Sequence, residues 1–370
     1  MLFQILSFVL GSLDYLYYLG VKCLGSKAPR FLSKGFGDVD QVYKLQDELI
    51  KEISDNKAST RLNLQEKDID WISTDVNDKH VIVRRGKFAS PVAEALPKES
   101  KECFFYHVIP KQTQPEKPKT TVLMMPATGE MGKGTRLRMA RQLAQSHGYA
   151  SVIVTAPYYG IRKPKAQTMW FLDTVYDLLL QSQAIIQEAV ALAHFVVSQD
   201  IDDNNHPHPH RICFSGFSWG GAMSIMSSVV AAAMGIPQVA CAAYVGSPSP
   251  SNLIDGLIKA SLDMEAVGGE SKIYQELLKT QLKTLTKEFK PDTPQVESMV
   301  AVNMSHDNII RAKFAAGLHD DLRECCGGND DAGKNNNKVV TRWLPGGHVS
   351  AAMMRPWLHP KYIVQAVENL

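Results

Sequence analysis

Several large functional classes are closed to this chain by what it lacks. Six cysteines occur in 370 residues, at positions 23, 103, 213, 241, 325 and 326, and they form neither a disulfide framework nor a metal-ligand spacing. Two of them lie in apolar, strand-like runs, so they read as reduced thiols and point to an intracellular or organellar site. An excess of either charge is missing too: 40 Lys and Arg against 38 Asp and Glu leave a net charge of +2. No basic stripe interleaved with aromatics appears, so nucleic acid is not an expected partner. The run His206-Pro207-His208-Pro209-His210 holds three imidazoles in an extended chain without a carboxylate or cysteine beside them. It reads as a polar loop, and neither a metal nor another cofactor is expected. The glycosylation sequon Asn303-Met304-Ser305 falls at a predicted buried strand end and is discounted.

With 45% hydrophobic and 21% charged residues, the chain can bury a large core as one α/β domain with insertions. The apolar and β-branched runs predict strands over Trp71 to Val76, Val81 to Arg84 and Cys103 to Ile109, an opening antiparallel meander. Strand and helix then alternate: Thr121 to Met125, a helix near Leu137 to Ser146, Ser151 to Thr155, a long helix through about Ser198, Arg211 to Phe214, and Val239 to Val245. Such alternation predicts a mainly parallel sheet flanked by helices. Residues 22 to 68 read as polar and helical. Between Ser247 and Pro294 strand signals stop, and two amphipathic stretches, Leu253 to Met264 and Ile273 to Phe289, predict a short helical cap at about 248–295.

From Met1 to Val21 the one charged residue is Asp14, and Lys22, Lys27, Arg30 and Lys34 follow. The segment 1–35 reads as membrane-associating or targeting. It lacks the basic start of a secretory signal, and Asp14 would be costly at the centre of a spanning helix, so an interfacial helix or uncleaved anchor is expected. A signal peptide and an amphipathic helix packed on the protein's own body are the alternatives.

The chemistry concentrates at Gly216-Phe217-Ser218-Trp219-Gly220-Gly221, a G-x-S-x-G with the strand-like Arg211 to Phe214 before it and the proline-free run Ala222 to Met234 after it. A serine on such a strand-to-helix elbow is a candidate nucleophile, with its partners following in the order acid, then histidine. Met299 to Met304 reads as a strand that releases Ser305-His306-Asp307, and a glycine loop after Val339 to Leu344 carries His348. Ser218, Asp307 and His348 are therefore the expected triad, at intervals of 89 and 41 residues. Asp320 and Asp321 are weaker acid candidates because they sit farther from the strand end. The residues 327 to 337, rich in Asn, Gly and Asp, read as a surface loop lengthening the second interval. These residue types are needed because a serine hydroxyl is a poor nucleophile until a histidine takes its proton and a carboxylate orients the ring. The amide of Trp219 and one from Thr128 or Gly129, in the loop after Thr121 to Met125, are the expected oxyanion donors.

Pro157-Tyr158-Tyr159-Gly160-Ile161-Arg162-Lys163-Pro164, Thr128-Gly129, the elbow and Gly346-Gly347-His348-Val349-Ser350-Ala351 together resemble α/β-hydrolase-domain-containing protein 18 and its relatives, within the α/β-hydrolase superfamily. The similarity runs from about residue 70 to the C-terminus. It implies an α/β-hydrolase domain over 36–370, the triad Ser218, Asp307 and His348, and a membrane phospholipid acyl ester as substrate, a mitochondrial lipid such as cardiolipin being one candidate. Trp219 stands where the family pattern has methionine, and the segment 251 to 295 is short for the family. Tyr158, Tyr159, Arg162 and Lys163 emerge at the carboxyl edge of the sheet, where open α/β folds bind ligands, and are expected to contact substrate. Arg162 and Lys163 would face an anionic head group; a solvated basic loop, or Arg162 paired with a local carboxylate, is the alternative. The expected activity is metal-independent serine ester hydrolysis through an acyl-enzyme. A non-catalytic hydrolase-fold protein binding a lipid or protein at a membrane is the competing class.

Overall fold

The structure is a computed structural model that describes residues 2–23, 29–55, 61–112, 118–201, 209–247, 251–280, 282–287, 289, 293–311, 322 and 338–370. Its centre is one sheet ordered β1-β2-β3-β5-β4-β6-β7-β8-β9. The strands are β1 (Asp70–Asp75), β2 (Val81–Ala89), β3 (Glu102–Pro110), β4 (Thr120–Met125), β5 (Ala150–Val154), β6 (Arg211–Phe217), β7 (Val239–Tyr244), β8 (Ser298–Met304) and β9 (Lys338–Leu344). The meander β1-β2-β3 is antiparallel and joins β5 antiparallel, whereas β5-β4-β6-β7-β8-β9 pair in parallel. Every residue of β4, β7 and β8 is buried, as apolar runs must be when helices cover both faces.

Each face of the sheet carries its own core. On one side α3 (Val39–Ser54), α5 (Val175–Ile201) and α6 (Trp219–Ala233) pack around Leu49, Ile185, Phe195 and Phe214. On the other, α4 (Gly134–His147) and a C-terminal helix, α10 (His348–Glu368), close over Met139, Leu143, Tyr244 and Ile363. The expected helix across 22 to 68 is shorter in the structure. Residues 29–38 are non-helical, because Pro29 follows the first helices and Gly35 and Gly37 take φ of 80° and 67°; Phe31 bridges instead to Leu262.

The N-terminal segment forms two short helices, α1 (Leu2–Gly11) and α2 (Leu13–Cys23), which pack against α10; α2 also meets a 3-10 turn at Leu257–Ser261. Among the described residues no helix is long and apolar enough to cross a membrane. Residues 251–287 hold α7 (Ser251–Asp255), α8 (Glu270–Leu278) and α9 (Leu282–Lys287), seated by the buried Val267, Ile273, Leu277 and Leu285. The loop 327 to 337, Asp320, Asp321, His206 and His208 lie outside the described residues.

The parallel register delivers β6 to the elbow. Its last residue is Phe217 and α6 begins at Trp219, so the chain reverses through Ser218 alone, at φ 56° and ψ −120°, a conformation that costs on the order of 1–3 kcal/mol and persists only where packing enforces it. That packing requires Gly216, because a Cβ there would lie 2.1 Å from the carbonyl oxygen of Gly220. Gly216→Ala is accordingly expected to lose about 3 kcal/mol or more of stability, read as a shift in the denaturation midpoint; a midpoint equal to wild type would contradict the elbow geometry.

Candidate active site

Three loops leave the same carboxyl edge of the sheet, after β6, β8 and β9, and each presents one polar side chain. Ser218 follows β6, Asp307 follows β8 by three residues, and His348 opens α10 after β9. Their side chains meet in series: His348 Nε2 lies 2.9 Å from Ser218 Oγ, and His348 Nδ1 lies 2.9 Å from Asp307 Oδ2. An ionised carboxylate only accepts, so Nδ1 carries the ring proton and Nε2 is left to take one from Ser218. The second oxygen, Asp307 Oδ1, accepts the amides of Ile309 at 2.9 Å and Ile310 at 2.7 Å, which fixes the carboxylate's orientation. The loops are also sewn to one another, with the amide of Ser305 donating to Leu344 and that of His306 to Gly346.

Burial pushes the pKa of His348 down, but the Asp307 charge, the hydrogen bond to it and the Asp14 charge outweigh that, and the result is raised from 6.5. The His348 side chain is 9% exposed and its ring sits 5.1 Å from the Phe217 ring, so few waters compete for its proton.

Beside Ser218, the amide of Trp219 is the first of α6 and has no partner within its helix. Thr128 lines the same cavity as Ser218 and Trp219. Gly129 is not part of that lining, so Thr128 is the better-placed of the two donors expected in this loop. Glu130 pins the loop: it accepts the Ala127 amide at 3.0 Å and Arg136 Nε at 2.9 Å, while Arg136 Nη1 donates to Met124 and Val154 carbonyls at 2.8 and 2.6 Å. Burial alone would raise the Glu130 pKa, yet Arg136 and Arg355 bring it below the usual value, so it stays an anionic anchor.

The expected head-group contact of Arg162 is corrected in favour of the alternative, its pairing with a carboxylate. Arg162 is fully buried, with Nη1 and Nη2 donating to Glu188 at 2.8 and 2.6 Å and to the carbonyls of Thr155 and Ser100. Both terminal nitrogens are thus committed to Glu188, on α5, and to backbone, and no lipid anion can reach the guanidinium. Lys163 Nζ donates to the Gln167 carbonyl at 2.7 Å. Tyr158 is buried, its amide bonded to Ser100 Oγ. Tyr159 lines a second cavity together with Thr128 and Trp219. A sequence motif reports that residues must meet something, and here the partner, Glu188, lies on a helix far along the chain. Glu130, Arg136 and Glu188 carried no short-range signal that could have marked them; Asp14 did, as the one charge in an apolar run.

Removing Glu188 by Glu188→Ala leaves Arg162 an uncompensated buried charge and is expected to cost about 3–5 kcal/mol of stability, measured by urea unfolding, whereas Arg162→Met with Glu188→Leu costs less. Because His348 accepts the serine proton only when neutral, the acidic limb of a kcat/KM profile is expected to fall above pH 6.5, the direction in which His348 is displaced; a limb below that value would contradict it.

Comparison with known proteins places this arrangement. The family described as alpha/beta hydrolase domain containing 18 matches residues 29–325, a span that holds Ser218 and Asp307 and ends before His348. The chain is similar to an acetyl xylan esterase from Paenibacillus sp. R4, at 14% identity and a TM-score of 0.50 over 91% of this chain and 96% of that one. It is also similar to a structure from a study of two prolyl endopeptidases, at 15% identity and a TM-score of 0.54 over 80% of this chain and 40% of that one. At such identities these likenesses establish the α/β-hydrolase fold. Match and fold together lead to one conclusion: the chain belongs to the alpha/beta hydrolase domain containing 18 family, and its general class is that of the serine hydrolases.

Proposed function

We propose that this protein hydrolyses a carboxylic ester of a long-chain lipid through an acyl-enzyme. The observation that carries the reading is the cavity onto which Ser218 opens. It is a partly open cavity of about 110 Å³, and its mostly apolar wall is made by Leu179, Ile186, Met223, Met226, Leu253 and Leu277, with Gln183 among the polar residues beside them. A second arm of about 50 Å³ shares Thr128, Trp219, Leu253 and Ile258 with it and runs toward Phe31, Leu172 and Leu262. Two mostly apolar arms that meet at Thr128 and Trp219, beside Ser218, suit acyl chains better than a sugar or a peptide, most of whose polar groups would be left unpaired there.

In the proposed mechanism Ser218 Oγ attacks the ester carbonyl carbon while His348 Nε2 removes the hydroxyl proton. The amides of Trp219 and Thr128 receive the tetrahedral oxyanion, each donor being worth about 3–4 kcal/mol. Collapse breaks the carbon–oxygen bond, and His348 returns its proton to the departing alcohol. Water, deprotonated by His348, then attacks the acyl-enzyme and releases the fatty acid with Ser218 restored. Asp307 accepts from Nδ1 throughout and stabilises the imidazolium. An acceptor other than water would use the same residues for acyl transfer.

A membrane is the proposed source of the substrate. Phe8, Val9, Leu16 and Leu19 are each at least half exposed on α1 and α2, and Met353 and Trp357 are each 64% exposed on α10, the helix against which both pack. Single exposed apolar residues are ordinary, but this many large ones on adjoining helices support an interfacial surface.

Full-length protein is expected to react with a fluorophosphonate at Ser218, and Ser218→Ala to lose labelling and several orders of magnitude in turnover. Across nitrophenyl esters of increasing acyl length, kcat/KM is expected to climb by up to roughly fourfold per buried methylene, from about 0.8 kcal/mol each. Met226→Trp, which fills the first arm, is expected to flatten that dependence. Labelling without any chain-length dependence would leave a serine hydrolase of a different substrate class.

A further inference from the structure

Asp14 is the charge that makes the N-terminal segment unsuited to crossing a bilayer, and the structure gives it another task. Its side chain is fully buried. Oδ2 accepts the amide of His348 at 3.0 Å and that of Asn308 at 2.9 Å, and Oδ1 accepts the amide of Val349 at 2.8 Å. His348 and Val349 are the first two residues of α10, and Asn308 follows Asp307 directly. One carboxylate from α2 therefore bonds both the loop bearing the acid and the helix start bearing the base. The fit admits no side chain between them, since a Cβ on Gly347 would come within 2.5 Å of Asp14 Oδ2.

Seven residues earlier, on α1, Ser7 is also fully buried. Its Oγ accepts the Gly346 amide at 3.0 Å, contacts His306 Nδ1 at 2.6 Å, and hydrogen-bonds to Ser305 Oγ. The inward face of α1 and α2 thus carries polar contacts to the two loops, while Phe8, Val9, Leu16 and Leu19 point outward.

We propose that Asp14 is a positioning residue of the hydrolytic site: the N-terminal helix pair is a working part of the enzyme, and its carboxylate holds the Asp307 and His348 loops in the alignment that directs His348 Nε2 at Ser218. The inference rests on the serine hydrolase reading. Helix starts favour an anion, because unpaired amides and the helix dipole converge there, and the same carboxylate receives the orphan amide beyond Asp307. Its charge also reaches the catalytic base. Asp307 and Asp14 are the charged groups that raise the His348 pKa against burial. Asp14 in turn is raised by burial and by the Asp307 charge, and drawn back by the three amides it accepts.

The test uses the full-length chain, a water-soluble short-chain ester and fluorophosphonate labelling, with thermal unfolding recorded for each variant. Asp14→Asn keeps the shape, removes the charge and turns a carboxamide NH2, itself a donor, toward amide donors. It is expected to lower kcat by roughly 10- to 100-fold, the scale of a displacement of about 1 Å at a reacting group, with KM within about twofold. The acidic limb of its pH profile is expected to move to lower pH, since the His348 imidazolium loses a stabilising anion. Ser7→Ala, which removes the Gly346 contact without touching a charge, is expected to lower kcat several-fold and leave the limb in place. Folded Asp14→Asn with wild-type kcat and an unmoved limb would overturn the proposal, as would activity lost only in proportion to unfolded protein. If Asp14→Asn does not fold, wild-type kcat in Ser7→Ala overturns it. Failure of wild type itself to label would instead refute the hydrolase reading on which the proposal stands.

Discussion

A carboxylate taken out of water costs several kcal/mol unless cations or amide donors receive it, and that constraint organises this molecule. Glu188 receives Arg162 and so fixes the turn after β5 against α5. Glu130 receives Arg136 and the Ala127 amide and so fixes the loop after β4. Asp307 accepts two amides and the His348 ring, and Asp14 accepts three amides from the loops beyond β8 and β9. The loops that leave the carboxyl edge beside Ser218 have no sheet pairing to hold them, and buried anions supply the missing order.

The division of labour follows from this. The parallel strands bring Ser218, Asp307 and His348 to one edge, and the elbow exposes the serine at a strained backbone position. Hydrogen bonds then set the direction of proton transfer, because Asp307 commits Nδ1 as donor and leaves Nε2 facing Ser218. Apolar walls from α5, α6, α7 and α8 enclose the space in front of the serine. The proposed specificity for acyl chains is thus a property of the helical layer, whereas the proposed chemistry is a property of the sheet edge.

Much of this was legible from residue order alone. The nine strands lie where apolar and β-branched runs predict them; the signal is strongest in β4, β7 and β8, because a strand buried on both faces must be continuously apolar. The elbow announced itself through Gly216, Ser218 and Gly220, and the order of acid and histidine after it pointed to Asp307 and His348. Arg162 shows where such reading stops. Its neighbours and its place after a strand suggested a ligand-facing cation, but which of two anions neutralises it, a substrate's or Glu188, depends on how α5 lies against the turn. The helix expected over 22 to 68 was likewise too generous, since helical spacing survives in sequence even where Pro29, Gly35 and Gly37 interrupt the backbone.

What the sequence by itself determined is the set of local commitments: which segments are strands or helices, where the chain must turn on glycine, and which side chains could react. Tertiary structure decided the partners. It paired Arg162 with Glu188 across 26 residues and brought Asp14 to His348 across 334. It also seated the N-terminal helices on α10, their inner face bonded to the loops of the site. The reason is physical: propensity and periodicity act over a few residues, whereas the electrostatic cost of a buried charge is met by whichever donor the completed fold brings within hydrogen-bonding distance.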